Sequence, residues 1–323
     1  MLVFIARRIA KAIVVLLAIA VLNFFLIRMA PGDPALVMAG EAGAGDKIFV
    51  AQLREKFGLD QPLPMQLYLY LKGIVSFDLG FSVRQQMPVA KLILDRLPAT
   101  LLLTGTAFLI SLLLGVLSGM LAARRAGTWA DTAITALALI FYATPLFWVA
   151  LMAILLFSVT MDLLPSFGYE TVGANYTGLA HVLDVGAHLI LPATTIGLFF
   201  MATYARMTRA SMLEVKRLDF VKTARAKGLS DAVIQRRHVL RNALLPVVTL
   251  AGLQAGTLVG GAVLTETVFA WPGIGRLMYE ALLQRDYNLL LGVFVVCSAM
   301  VLIFNLITDL VYRLVDPRIE FAT

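Results

Sequence analysis

Charge, cysteine and histidine are all scarce in this chain. Asp, Glu, Lys and Arg make up 15% of its 323 residues, against 60% hydrophobic. One globular core of that length cannot hide so much apolar surface from water, which excludes an ordinary water-soluble fold and puts the chain in a bilayer. The single cysteine, Cys297, falls inside an apolar run, so no disulfide framework exists and cysteine gives no clue to the compartment. His181, His188 and His238 are scattered, with no H-E-x-x-H and no second ligand at helical spacing, which speaks against a metal site. Nothing resembles a Ser/His or Cys/His pairing on facing spans, so an intramembrane hydrolase would lack its nucleophile and base. A phosphate loop is missing too. GEAGAGDK at 40–47 has two glycines at the right spacing, but Asp46 stands where Lys is needed and no strand precedes it, so it reads as a loop.

What is present is apolar runs. Crossing about 30 Å of hydrocarbon takes roughly 20 helical residues, and six runs suffice: 9–29, 98–123, and those between residues 131 and 162, 184 and 206, 241 and 266, and 286 and 309. Lys11 and Arg28 fringe the first, where their stems can snorkel to the headgroups. Ala18 and Ala20 form an A-x-A, as at a signal cleavage site, but the run continues past them and reads as a retained span. No ionisable residue stands at mid-span: Asp309 has Arg313 four residues on as a local partner, and Glu266 lies at the end of its run. Ion-coupled transport by this chain alone, as in a secondary transporter, therefore has no visible machinery, and the inverted repeats of such transporters are not seen.

Lys and Arg set the orientation. Arg206, Arg209, Lys216, Arg217, Lys222, Arg225, Lys227, Arg236, Arg237 and Arg241 crowd the loop between the fourth and fifth spans, whereas 162–187 holds neither Lys nor Arg. The basic loop, Arg7 and Arg8, and Arg124 and Arg125 belong on the cytoplasmic side, with both termini. The net charge of +7 is thus mostly topology; no aromatic-interleaved basic stripe suggests nucleic acid. Segment 30–97 is then outside and long enough to be structured. Phe49, Leu53 and Phe57 repeat at i, i+4, i+8, and Leu67, Leu71, Ile74 and Val75 at i, i+4, i+7, i+8, with the breaker run GLDQPLP at 58–64 between them. Two amphipathic helices lying on the membrane and a docking surface for an external partner are both open readings. Pro145 and Pro192 inside spans can kink them for packing or for gating. The small residues of AGLQAGTLVGGAVL at 251–264 permit close helix approach.

The basic loop reads as structured. Gly228 suits a left-handed stop for a helix over 219–227, and Ser230 can N-cap a second helix in which Val233, Leu240 and Leu244 fall at i, i+7, i+11. A juxtamembrane pair held by anionic lipid is the plain reading of that composition.

KTARAKGL at 222–229, followed by RNALLPVVT at 241–249, resembles the cytoplasmic EAA loop of bacterial ABC importer membrane subunits in their peptide/nickel permease branch. PGDP at 31–34, FDLGFS at 77–82, ARMTRASMLEV at 205–215, TETVFAWPGIG at 265–275 and DPRI at 316–319 extend the likeness over nearly the whole chain, nearest to the first of the two paired dipeptide permease subunits. Two features depart from the general pattern: Lys222 and Thr223 stand where Glu-Ala precedes the Ala, here Ala224, and the distance from Gly228 to Leu245 and Pro246 is longer.

The resemblance implies an all-α, polytopic inner-membrane fold of the type I importer kind, with six transmembrane helices and a structured periplasmic segment after the first. The divisions are then 1–29, 30–97, a permease core at 98–313 containing a coupling loop at 207–245, and a cytoplasmic tail at 314–323. It implies a second homologous permease subunit, two cytoplasmic ATPase subunits holding ATP and Mg, a periplasmic or lipid-anchored substrate-binding protein, and surrounding membrane lipid. This chain would hold no cofactor or metal and catalyse nothing. ATPase coupling would fall to Asp219, Phe220, Thr223, Ala224, Arg225, Ala226, Lys227, Gly228 and Leu229. Phe220 and Ala224, at i, i+4, offer an apolar face for a groove on the ATPase. Tyr142, Thr144, Tyr204, Gln254 and Thr257 are path candidates, each also readable as an interhelical hydrogen bond. Di- and oligopeptides lead as cargo, with nickel chelates and glutathione as alternatives.

Overall fold

The computed structural model describes residues 2–29, 35–36, 39, 46–56 and 58–315. The PGDP and DPRI motifs, Phe57 and most of the GEAGAGDK run lie outside the described residues. The apolar runs form helices, because backbone polar groups in hydrocarbon must be satisfied within the segment itself. In chain order these are α1 (Leu2–Arg28), α2 (Lys47–Lys56), α3 (Leu63–Val75), α4 (Val89–Arg124), α5 (Trp129–Ala143) and α6 (Leu146–Ala153, continuing as π-helical Ile154–Thr160). They continue with α7 (Leu179–Val215), α8 (Asp219–Ala226), α9 (Asp231–Val233, running into π-helical Ile234–Leu240), α10 (Arg241–Gly261), α11 (Val263–Val268), α12 (Ile274–Leu283) and α13 (Tyr287–Val315). The strands among the described residues are β1 (Phe81–Ser82) and β2 (Met87–Pro88), an antiparallel hairpin pairing Phe81 with Pro88 and Ser82 with Met87.

Four helices are long and apolar enough to span a membrane among the described residues: Ala6–Arg28, Val89–Arg124, Leu179–Val215 and Tyr287–Leu310. The third expected run is broken. Thr144 is extended and Pro145 begins a new helix, so Trp129–Ala143 and Leu146–Thr160 meet at 103°, and they make a fifth span only if the bent pair crosses as one. The fifth expected run is occupied by α10, of 21 residues. The second expected span begins earlier than its apolar run, since the helix starts at Val89 and carries Pro98 inside it. Pro192 likewise sits within the unbroken α7.

The chain divides into two compact units, residues 1–100 with 272–306, and 101–271 with 307–323. In the first, α3 rests on α1 through Phe24 and Tyr70, whose rings stack at 5.7 Å. The FDLGFS stretch turns at Phe77 (φ 57°) and Gly80 (φ 84°) and leads into the hairpin. The buried Ser82 hydroxyl donates to Asp286, which also accepts the Leu289 N–H at 3.2 Å and so caps α13. Asn288 Nδ2 donates to Phe81 O at 3.1 Å, binding the hairpin to the same helix start.

The second unit is built on close helix approach. Gly115 and Gly119 of α4 lie against α7. A Cβ at Gly115 would strike Tyr204 Cβ and stand 2.9 Å from Met201 O; one at Gly119 would strike Ala205 O and stand 2.7 Å from Thr208 Cβ. The expected closeness in the small-residue run is met at Gly252, where a Cβ would run into Thr308 and whose carbonyl accepts the Thr308 hydroxyl at 2.8 Å. TETVFAWPGIG folds over a tight turn at Ala270 (φ 51°), with Phe269 and Trp271 buried, and Gly168 N–H donates to Phe269 O at 2.8 Å.

Candidate functional site

Residues 216–240 form a short helical hairpin at the end of α7. Leu218 is extended and interrupts helix, and α8 begins at Asp219, an acidic first-turn residue suited to the helix dipole. α8 ends as its glycine requires. Gly228 has φ 79°, its N–H donates to Arg225 O at 2.9 Å, and Leu229 N–H points to Ala224 O at 3.4 Å. These are the two bonds of a Schellman stop, which satisfy carbonyls the helix would leave orphaned. The helix thus ends one residue before the expected 227. Ser230 occupies the N-cap position of α9 but makes no side-chain capping bond.

The faces of the hairpin differ from the expected pattern. Val221 (2% exposed) and Ala224 turn inward and pack with Ala123, Met212, Ile234, Val239 and Ala243, whereas Phe220 is 40% exposed. Phe220 and Ala224 therefore do not share an outward face: at 3.6 residues per turn, Val221 and Ala224 form the inward pair and carry Phe220 outward. In the second arm Val233 is exposed and Ile234, Val239 and Ala243 are buried, while the expected Leu240 packs against the same core and Leu244 against Tyr204, Val247 and Ala251. The π-helical stretch at Ile234–Leu240 supplies the reason, because i→i+5 bonding rotates the apolar face relative to an α-helix. The outward surface then consists of Asp219, Phe220, Lys222, Thr223, Arg225, Ala226, Lys227, Gly228 and Leu229. Its ion pairs, Lys222 with Asp219 at 2.8 Å and Arg225 with Asp231 at 3.4 Å, are solvent-exposed and contribute little to stability.

Two further contacts involve residues whose roles the sequence did not reveal. Asp131, at the start of α5, is buried; it receives Arg209 Nε at 2.6 Å, Arg209 Nη2 at 2.7 Å and Gly127 N–H at 3.0 Å. This bidentate pair ties the α4–α5 turn to the end of α7. Lys216 Nζ donates to Ala123 O at 2.6 Å in the last turn of α4, a favourable place for a cation. Burial and then the nearby Arg124 push the Lys216 ammonium pKa down, with Asp231 partly offsetting them. Asp131 and Arg209 are 78 residues apart, so no local pattern announces their pairing. Asp131→Asn is expected to cost about 2–3 kcal/mol, below the figure for a fully buried broken pair because Arg209 remains partly solvated. The check is a lower melting temperature in detergent, with the Asp131→Arg, Arg209→Asp double variant recovering part of the loss.

The path candidates separate. Tyr142 is exposed, stacks on Phe199 at 5.4 Å and lies 5.1 Å beneath the Arg206 guanidinium. Thr144 is half-buried at the bend, its hydroxyl donating to Ile140 O at 2.7 Å. Tyr204 is 0% exposed, packed with Val247 and Ala251, so it faces no open path in this conformation. Gln254 is half-buried on α10, and the Thr257 side chain lies outside the described residues.

Two family models match the chain. Residues 115–321 match the model described as "Binding-protein-dependent transport system inner membrane component", and residues 1–104 its N-terminal companion. The dipeptide transport system permease protein DppB of Escherichia coli (strain K12) is 40% identical over 337 residues, covering 99% of each chain. The protein of the same name from Alkalihalophilus pseudofirmus is also 40% identical, over 99% of this chain and 100% of its own. Among solved structures, an inward-facing MetNI methionine ABC transporter chain superposes with a TM-score of 0.55 at 22% identity, over 70% of this chain and 96% of that one. At that identity the likeness speaks to fold alone.

Proposed function

Because the chain belongs to the family of binding-protein-dependent transport system inner membrane components, we propose that it forms one half of the channel of an ATP-driven importer of di- and oligopeptides. The chain is a multi-pass inner-membrane protein of the ABC importer permease fold. The observation that carries the coupling half of this reading is the α8 surface: a rigid helix held from below by Val221 and Ala224, with Phe220, Leu229 and three cations presented outward. Dipeptide transport in the names of relatives 40% identical over the full length supports the cargo, and it favours peptides over nickel chelates or glutathione.

In this reading the second half of the channel is a homologous permease subunit. Two cytoplasmic ATPases bind ATP and Mg and seat the 207–245 hairpins, and an external binding protein delivers peptide. The permease crosses the membrane six times, with α10 as the fifth span and both termini cytoplasmic. Segments 30–97 and 162–187 face outward. Tyr142 and Thr144 are the path candidates best placed for contact with cargo.

Proteoliposomes test this directly. Uptake of labelled dipeptide is expected only when both permeases, the ATPases, the binding protein and ATP are present together. Uptake by the permease alone under an ion gradient would overturn the reading. Orientation is checked with single cysteines in a Cys297→Ser background: Val172→Cys, at the fully exposed tip of its loop, and Lys227→Cys should label from opposite sides of the membrane.

A further inference from the structure

The last turn of α1 holds a cation, Arg28, whose side-chain partners among the described residues are neutral. Arg28 does not extend away along the helix as a snorkelling side chain would. It folds back with its guanidinium 3.7 Å from the Phe24 ring centroid, and both Nε and Nη2 donate to the neutral amide oxygen of Gln66. That amide cannot turn away, because its Nε2 donates to Gln61 O at 2.7 Å and Leu59 O at 3.2 Å. No carboxylate pairs with Arg28 among the described residues.

These groups line a cavity of about 620 Å³ between α1, α3 and the start of α13. Tyr70 lines it too, its ring stacked on Phe24 and its hydroxyl buried with no hydrogen-bond partner among the described residues. Burial pushes the Tyr70 phenol pKa up, so it stays an O–H donor at neutral pH. A desolvated guanidinium and an orphaned hydroxyl at one cavity are complementary to a tetrahedral oxyanion. The other charged side chains lining it are the exposed carboxylates of Glu55 and Asp78. One cation and two carboxylates disfavour a purely anionic ligand and suit one that carries an ammonium beside its phosphate. The remaining wall is mostly apolar, with Gln61, Tyr287 and Asn288 as its other polar members, and it includes Ile27 of α1, a membrane span with most of its surface unburied within this chain.

We propose that this cavity is a binding site for the headgroup of a zwitterionic, phosphoethanolamine-type phospholipid. Its phosphate sits on Arg28 and the Tyr70 hydroxyl, its ammonium faces Glu55 and Asp78, and its acyl chains run along α1. The lipid phosphate supplies Arg28 with a counter-ion and anchors the α2–α3 segment to the first span. This depends on α1 crossing the membrane and is independent of the cargo or the coupling partner.

The test is native mass spectrometry of the intact complex in detergent, titrated with dihexanoyl phosphatidylethanolamine. Phosphatidylglycerol and phosphatidylcholine of the same chain length, free phosphoethanolamine, inorganic phosphate and dialanine serve as comparators. Phosphatidylethanolamine is expected to bind roughly tenfold tighter than the other two lipids. Tyr70→Phe should weaken it about tenfold and Arg28→Gln about a hundredfold. Tyr70→Phe removes only an atom with no protein partner, so its melting temperature should not fall, and a lipid loss in that variant cannot be ascribed to unfolding. Equal lipid retention in wild type and Tyr70→Phe would overturn the proposal. So would tighter binding of dialanine, which would mark a peptide site, or equal binding of inorganic phosphate, which would mark an unspecific anion site.

Discussion

Gly119→Leu is expected to leave almost no folded protein in the membrane. A Cβ at Gly119 would strike the carbonyl oxygen of Ala205 and stand 2.7 Å from Thr208 Cβ, and a backbone atom cannot swing aside as a side chain tip can. Adding methylenes to a packed core commonly costs about 1–3 kcal/mol, and displacing one helix backbone from another costs more, comparable with the whole margin of a marginally stable fold. Four residues earlier Gly115 makes the same approach to Tyr204 and Met201, so the crossing of α4 on α7 rests on a small-x-x-x-small pair. Gly105 of the same helix meets no atom within 4 Å. Gly105→Ala should therefore be neutral or gain roughly 0.5–1 kcal/mol of helix propensity. Monodisperse yield in fluorescence size-exclusion chromatography separates the two; equal yields of both variants would show that α4 and α7 do not meet as described.

The second large effect is expected at the α8 surface. Phe220 is 40% exposed and is not a member of the core beneath it, whereas Val221 is 2% exposed within that core. If the hairpin seats in an ATPase groove, Phe220 is an aromatic anchor of the kind whose truncation costs about 2 kcal/mol or more, roughly a 30-fold loss of affinity. Phe220→Ala should thus insert and fold at wild-type levels, while ATPase activity ceases to respond to loaded binding protein and transport is lost. Gly228→Val should behave similarly for a different reason. The space around Gly228 is open, but its φ of 79° penalises a β-branched residue by about 1–2 kcal/mol and displaces the helix end. Gly228→Asn, which tolerates that conformation, should retain most of the coupling. A surface that merely rests on lipid would instead give Phe220→Ala near-normal stimulation and weaker membrane association.

Much of this architecture can be read from the sequence because its determinants are local. Long apolar runs must become helices in hydrocarbon, the repeats around 47–56 and 63–75 place two amphipathic helices, and Gly228 marks a left-handed stop. What escapes is either a local geometry with no composition signal or a contact between distant residues. The π-helical stretch after Val233 rotates the inward face onto Ile234 and Val239, although Val233, Leu240 and Leu244 keep helical spacing on paper. The Ser82 bond to Asp286 and the Arg209 bond to Asp131 join residues 204 and 78 positions apart, where charge counting sees only separate loop residues. Pro145 signals a kink, but its 103° follows from Thr144 being extended before it. The inward turn of Ala224, despite its place in the motif, depends on α8 having a floor of Ala123 and Met212 from other helices.

The outer face of α8, and not its inner one, is expected to meet the ATPase. Photo-crosslinking from single benzoylphenylalanine substitutions at Phe220, Val221 and Lys227 in the assembled transporter measures this contact. The expected result is adducts to the ATPase from 220 and 227, with yields that change between the nucleotide-free and ATP-bound states, since a contact equal in both states could shift nothing. Position 221 should crosslink only within this chain. Adducts to lipid alone from 220 and 227, or ATPase adducts that are equal from all three positions, would contradict the account.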